Sequence, residues 1–332
     1  MKLLVVGGAG YIGSVTVEEL IENKHEVIVL DNLCRGHAEA VNGKAKLVQG
    51  DMGNADDLHA IFRAEKIDAV MHFGALSLVG QSVEQPSEYF RNNVSNGITL
   101  LDVMLSHGVK KFVFSSTAAV YGEPQTWPIT EDFPLDPTSP YGDSKLAYEK
   151  ILKWYAGAYG LMYAALRYFN VAGASETAGE EHEPETHLIP LLLQVARGDR
   201  PFVTIFGDDH QTPDGTGIRD YIHVKDLAHS HLLAVEALKT PGQSSIYNLG
   251  SGTGFSVKQI IEVASKVTGK QITTKIGPRR AGDPSVLVAS SEKIQQELGW
   301  TPKYGALETI IGDAWNWHRN NPKGYQREQA HV

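Results

Sequence analysis

The stretch Lys2-Leu3-Leu4-Val5-Val6-Gly7-Gly8-Ala9-Gly10-Tyr11-Ile12-Gly13 decides the fold. The apolar run from Lys2 to Val6 reads as a buried strand, and Val15 to Asn23 has helical spacing. A glycine turn between strand and helix aims backbone amides at an anion, and the helix N-terminus adds partial positive charge. Gly7 suits the tight turn, Gly10 the close approach of a pyrophosphate, and Gly13 the packing of helix on strand. The spacing is G-x-x-G-x-x-G rather than the commoner G-x-G-x-x-G. A second strand, Glu26 to Leu30, ends at Asp31. An acid there binds the adenosine ribose hydroxyls of a dinucleotide and repels a 2′-phosphate, which favours NAD over NADP.

Outward from this unit the alternation continues. Leu47 to Gln49, Ala69 to Phe73, Phe112 to Phe114 and Ala165 to Phe169 read as strands, with helical patterns that include Ile98 to Ser106 and Asp143 to Ala158. The runs are nearly continuous in apolar residues, as strands covered on both faces require. This rhythm predicts an α/β fold, a doubly wound parallel sheet of Rossmann type. After Asn170 the texture changes to a polar, acidic stretch without period, a helix from His187 to Arg197, a strand from Phe202 to Phe206 and a glycine-rich loop from Gly207 to Gly217. The expected division is residues 1–170 for the dinucleotide, with return segments near 225–250, and 171–332 mainly for a smaller α/β substrate-binding domain.

Composition narrows the partners. The 332 residues carry 30 Lys and Arg against 39 Asp and Glu, a formal charge of −9, with no basic run. An acidic surface disfavours nucleic acid and anionic membrane. The opening apolar run is too short for a signal segment, and no later segment has the length of a membrane span. Cys34 is the one cysteine, so no intramolecular disulfide forms, which fits a reducing compartment. These features give the expectation of a cytoplasmic, soluble, globular protein.

The chemistry points to Ser139-Pro140-Tyr141-Gly142-Asp143-Ser144-Lys145. Ser139 reads as an N-cap and Pro140 as the first helical residue. Tyr141 and Lys145 then share a helix face at i and i+4. A phenol of pKa about 10 is a poor base, but a neighbouring ammonium and a positive oxidised nicotinamide both favour the phenolate. Ser115-Ser116-Thr117 follows an apolar strand and offers hydroxyls beyond its carboxyl end, where ligands of open parallel sheets bind. Two stretches are rich in metal-ligating types, His229-x-His231 and Glu180 to His187. The first lies on a predicted helix where i and i+2 diverge, the second in an irregular acidic loop, and no metal is expected.

Gly7 to Gly13, Asp31, Ser115 to Thr117 and Tyr141-x-x-x-Lys145 resemble the extended short-chain dehydrogenase/reductase superfamily. Asp31-Asn32-Leu33, Val120-Tyr121-Gly122, Arg167-Tyr168-Phe169-Asn170, Gly215 to Val224, Tyr247 to Gly250 and Arg279 to Asp283 narrow the resemblance, nearly end to end, to the UDP-glucose 4-epimerase family. The resemblance implies that Tyr141 is the base, that Lys145 orients it and the nicotinamide ribose, and that Thr117 meets the sugar 4-hydroxyl. It implies NAD contacts from Gly7, Gly10, Tyr11, Ile12, Asp31, Asn32, Asp51, Met52, Phe73, Asn92, Ser115, Tyr141, Lys145 and Tyr168. It implies that Asn170, His187, Leu188, Thr204, Phe206, Arg219, Tyr221, Arg280 and Asp283 hold the UDP half. The chain departs from the family pattern at His187, where Asn is common, at Ser77 for Lys, at Val6 for Thr and at Asn96 for Gly. The resemblance also suggests a homodimer through the helices at Ile98 to Ser106 and Asp143 to Ala158.

The reaction implied is NAD-dependent oxidation of a UDP-hexose at C4, rotation of the 4-keto sugar and re-reduction on the opposite face, interconverting UDP-galactose and UDP-glucose. Thr117 is followed by Ala118, Ala119 and Val120, none able to transfer a proton. Relatives that eliminate water or decarboxylate typically carry an acid just after that position, so the sequence disfavours them. Leu287 falls where family members set the room around the sugar C2, leaving UDP-N-acetylglucosamine epimerisation, alone or with dual specificity, as the alternative reading. A non-catalytic NAD sensor would need neither the Tyr/Lys pair nor the arginines.

Overall fold

The structure is a computed structural model that describes residues 1–279 and 283–325. Its first half alternates as follows: β1 Lys2–Val6, α1 Tyr11–Glu22, β2 Glu26–Asp31, β3 Lys46–Gln49, α2 Ala55–Ala64, β4 Ala69–His72, the short α3 Val79–Glu84 and α4 Pro86–Phe90, α5 Gly97–Ser106, β5 Lys111–Thr117, α6 Pro140–Tyr159 and β6 Met162–Tyr168. Then come β7 Asn170–Ala172, α7 Leu188–Arg197, β8 Val203–Phe206, β9 Ile218–His223, α8 Val224–Ala237, β10 Ser244–Leu249, β11 Gly254–Ser256, α9 Val257–Thr268, β12 Thr274–Gly277, β13 Val286–Leu287, α10 Glu292–Leu298 and α11 Leu307–Asn320.

Seven parallel strands form the main sheet in the order β10-β6-β5-β4-β1-β2-β3. Alternate residues of each strand feed opposite cores. Leu4, Val6, Ile28, Leu30 and Phe112 face α2, α5 and α6. Leu3, Val5, Val27, Val29 and Val113 face α1 and α8. Burial on both faces explains why the strands carry hardly a polar residue until their carboxyl ends. Ile294 of α10 and Trp300 also return to the second face, where the Trp300 indole donates to the Asp226 carbonyl at 3.0 Å. No periodicity announces this return, because α10 contributes one buried residue.

The later elements build a second core from α7, α9, α11 and β8, with Tyr221 of β9. Beside it lie a four-stranded sheet of β7, β9, β11 and β13 and a two-stranded sheet of β8 and β12. No helix among the described residues is long and apolar enough to cross a membrane.

The order of the main sheet reverses between β1 and β4. Ligands of such sheets bind in the crevice beyond the strand carboxyl ends at this switch point. Register brings the relevant ends to one edge: Val6 pairs with Leu30 and with His72, His72 with Phe114, and Thr117 with Tyr168.

Candidate active site

The glycine loop has the predicted local structure. Gly7 has φ +78°, and a side chain there would strike the Gly74 nitrogen. Gly13 is fixed by packing too, since an added Cβ would lie 2.2 Å from the Gly7 carbonyl oxygen. Gly10 is different: it caps α1, and an added Cβ would approach nothing closer than the Gly7 oxygen at 3.5 Å. The chain itself therefore tolerates a side chain at position 10, and the bare backbone leaves room for a ligand at the helix N-terminus. Asp31 closes the turn by accepting from the amides of Ala9 and Leu33, both at 2.9 Å. Asn32 donates to Asp51 at 2.9 Å, Met52 is buried below, and Phe73 packs on His231 with ring centroids 4.7 Å apart. Tyr11 is buried and donates across to the Gly173 carbonyl at 2.7 Å. The open N-terminus of α1 and the Asp31 carboxylate at the end of β2 suit a dinucleotide at the switch point.

Asn92 sits in a π-helical turn, Arg91–Asn96, between α4 and α5. It bonds to Asn93, which is buried and ties the Leu76 backbone to Ser144 of α6. Ser77 is exposed, and Asn96 lies against Gly53.

The helix bearing the Tyr/Lys pair starts as predicted. Ser139 accepts from the Gly142 amide at 3.2 Å and Pro140 opens α6. Ser115, Ser116 and Thr117 do not follow the strand as expected but are its last three residues, paired with Leu166, Arg167 and Tyr168. Pairing fixes their alternation: Ser115 shares a hydrogen bond with the Tyr168 hydroxyl, Ser116 donates to Glu149, and Thr117 accepts from the Ala119 amide to cap the following turn, its hydroxyl near enough to the Tyr141 phenol to lower it.

Burial, the larger influence, pushes the Tyr141 phenol above its ordinary value, and the neighbouring Thr117 hydroxyl offsets only part of this. The Lys145 amine donates to the Ser115 carbonyl at 2.7 Å, and burial lowers its pKa to about 7, opposed by the charge of Glu149. An amine in this state is a weaker source of positive charge than a surface lysine.

Glu149 is the residue the sequence reading missed. It lies one turn beyond Lys145 on α6 and pairs with Arg167 of β6, whose Nε donates to it at 2.9 Å. Arg167 also donates to the Tyr121 hydroxyl at 2.9 Å, which in turn donates to Asn248 at 2.7 Å. The available signal was a glutamate on the apolar side of α6 and an arginine inside an apolar strand.

The candidate UDP residues fall into three groups. Asn170 and Tyr221 are register partners on β7 and β9, and Arg219 and Leu287 are partners on β9 and β13. Arg219 is ion-paired with Asp283. Thr204 and the exposed Phe206 lie on β8, in the separate two-stranded sheet. His187 precedes Leu188, the first residue of α7, and its ring faces Glu180 and Glu185. Arg280 lies outside the described residues. His229 and His231 do not converge: His229 pairs with Glu19, while His231 is buried and bonds the Leu227 carbonyl.

The family model described as "NAD dependent epimerase/dehydratase family" matches residues 3–250. The chain belongs to this family. It is 57% identical to a UDP-glucose 4-epimerase of Halalkalibacterium halodurans over 99% of this chain and 98% of the relative. A solved structure of a UDP-glucose 4-epimerase, 51% identical, superposes with a TM-score of 0.96 over 98% of this chain and all of that one. A third relative, the UDP-glucose 4-epimerase from Bifidobacterium longum in complex with NAD+ and UDP, is 39% identical with a TM-score of 0.93, covering 98% of this chain and 100% of that one. Membership in an NAD-dependent family agrees with the reading of Asp31, and the doubly wound fold is shared with these structures.

Proposed function

We propose that the chain interconverts UDP-galactose and UDP-glucose by NAD-dependent epimerisation at C4. The observation that carries this is the placement of Tyr141, Thr117 and Lys145 at the carboxyl edge of the sheet, beside the switch-point crevice and with no acid among the three residues after Thr117. Residues 1–170 with the 225–250 return hold the cofactor and most of the remainder holds the nucleotide sugar.

Bound NAD supplies the hydride acceptor and donor, and its oxidised ring supplies positive charge that the buried phenol lacks. Tyr141 takes the 4-hydroxyl proton and later returns it. Thr117 shares a hydrogen bond with the same oxygen and holds the phenol in place. Lys145, once its ammonium is stabilised in the filled cleft, lowers the phenol further and orients the ribose. Arg219, with Arg280, suits the diphosphate because guanidinium forks match phosphate oxygens. A firm grip there and a loose one on the hexose let the 4-keto sugar present either face.

Replacing Tyr141 by Phe tests this. The expected result is a loss of kcat of about 10²–10⁴-fold, the usual worth of a general base, with the UDP dissociation constant unchanged in a binding titration. Near-normal kcat overturns the assignment.

Leu287, intermediate between the bulky and the small residues of this family position, keeps a second substrate open. It packs against the cluster of Ala118, Leu146 and Phe169. UDP-N-acetylglucosamine is then turned over at a lower kcat/KM than UDP-glucose, and parallel assays decide it. The chain works as a homodimer through α5 and α6: Trp154 on α6 is 77% exposed and Tyr159 is 55% exposed, a surface that a second copy would cover. The single cysteine supports a cytoplasmic site of action.

A further inference from the structure

The loop between β7 and α7, dismissed on sequence as irregular, gathers Glu180, His182, Glu185 and His187. One ligand atom from each lies within 4.8 Å of all the others. Both imidazoles present Nδ1. His187 Nδ1 stands 2.9 Å from Glu180 and 3.0 Å from Glu185, and His182 Nδ1 stands 3.3 Å from Glu180 and 3.5 Å from Glu185. A tetrahedral metal with arms of about 2.0–2.2 Å holds its ligand atoms roughly 3.3–3.6 Å apart; the four imidazole–carboxylate separations lie close to that spacing, and side-chain rotation would bring the wider pairs, no more than 4.8 Å apart, into a coordination shell.

Three further observations favour an ion over a simple knot of charges. His182 Nδ1 is buried and makes no hydrogen bond, although it lies within ion-pair range of two carboxylates. Glu180 is 5% exposed, so one carboxylate has been brought out of water to reach this point. Glu185 is already oriented by a second shell, accepting from the amides of Thr186 at 2.7 Å and His187 at 2.8 Å; such contacts aim a ligating carboxylate.

We propose that Glu180, His182, Glu185 and His187 form a divalent transition-metal site, with Zn²⁺ the preferred ion. Two imidazoles and two carboxylates are a borderline N/O set that suits zinc better than magnesium or calcium, which take oxygen ligands. Four protein ligands leave no open position, so the role is structural. The ion clasps the loop that leads into α7. It also steadies the contact with the cofactor side, where the His182 ring meets the Tyr11 ring edge-on at 6.4 Å. The proposal assigns the His187 ring to the ion rather than to the UDP half, and it does not depend on the reaction catalysed.

The test uses untagged full-length protein, purified without chelator, with a Cys34→Ser variant alongside to remove the one thiol. Elemental analysis should give about one zinc per chain in both. After stripping, a Zn²⁺ titration should show one saturable site, and bound zinc should raise Tm by ~3 °C or more. Co²⁺ in place of zinc should give the visible bands of a tetrahedral site. His182→Asn and the milder Glu185→Gln should each weaken Zn²⁺ binding at least tenfold. Zinc in only a small fraction of chains together with no saturable binding after stripping overturns the site, as does unchanged binding in a folded His182→Asn/Glu185→Gln double variant.

Discussion

The two sides of the cleft are each held by an arginine–carboxylate pair, at different depths. In Glu149–Arg167, beneath the Tyr/Lys pair, the side chains are 3% and 2% exposed. In Arg219–Asp283, on the nucleotide-sugar side, they are 14% and 32% exposed. The deep pair has no route to another partner: Ser116 donates to Glu149, and Arg167 also donates to the Tyr121 hydroxyl and the Glu131 carbonyl. It fixes the strand end and helix that carry the proton-transferring groups. The shallow pair is open enough to solvent for Arg219 to turn to a phosphate, as proposed above. On that proposal the chemistry is built in advance on the sheet, whereas the grip on the diphosphate is made when substrate arrives.

The largest consequence concerns the deep pair. Glu149→Gln leaves a buried guanidinium uncompensated, which typically costs about 3–5 kcal/mol. A chemical denaturation curve should show this loss, while Asp283→Asn changes stability by less than ~1 kcal/mol, as expected of a partly exposed pair. Equal losses at the two sites would remove the distinction between them. Next, Arg219→Met should cost about 1.5–3 kcal/mol of substrate binding, the worth of hydrogen bonds to a charged group. It should appear as a KM raised about 10- to 100-fold with kcat changed only a few-fold. A fall in kcat with unchanged KM would place Arg219 in the chemical step instead.

A further effect sharpens the comparison through pH. Lys145 has a folded pKa of about 7, against 10.5 for an ordinary lysine. Between these values the unfolded chain binds more protons than the folded one, so this group makes stability rise with pH. The penalty is full below pH 7 and relaxes by up to ~1.4 kcal/mol per unit between pH 7 and 10.5. In NAD-free protein, Lys145→Met should be more stable than the parent at pH 7.5, with the gap narrowing by pH 9.5. Urea midpoints at the two pH values check this, and a gap that widens contradicts the buried, half-neutral amine.

Sequence reading and structure agree where a local pattern determines geometry. The glycine turn, the Ser139-Pro140 start of α6 and the i, i+4 placement of Tyr141 and Lys145 follow from residues close in the chain. The parallel sheet follows from apolar runs separated by helices. What was not legible depends on distant partners. Glu149 acquires its meaning from Arg167 on another element, and Asn93 from Leu76 and Ser144. Spacing puts Tyr141 and Lys145 on one helix face but does not show how much water they lose: burial raises the phenol and lowers the amine. The loop from Glu180 to His187 has no period, so its convergence was visible only in three dimensions.

The most direct test of the central claim, that this cleft oxidises and re-reduces one sugar carbon with a cofactor it keeps, is incubation of the purified protein with UDP-galactose and no added NAD. The account predicts that UDP-glucose accumulates to a stable ratio, that the same ratio is reached from UDP-glucose, and that no free NADH builds up. A protein that carries bound NAD yet leaves UDP-galactose unchanged would contradict it.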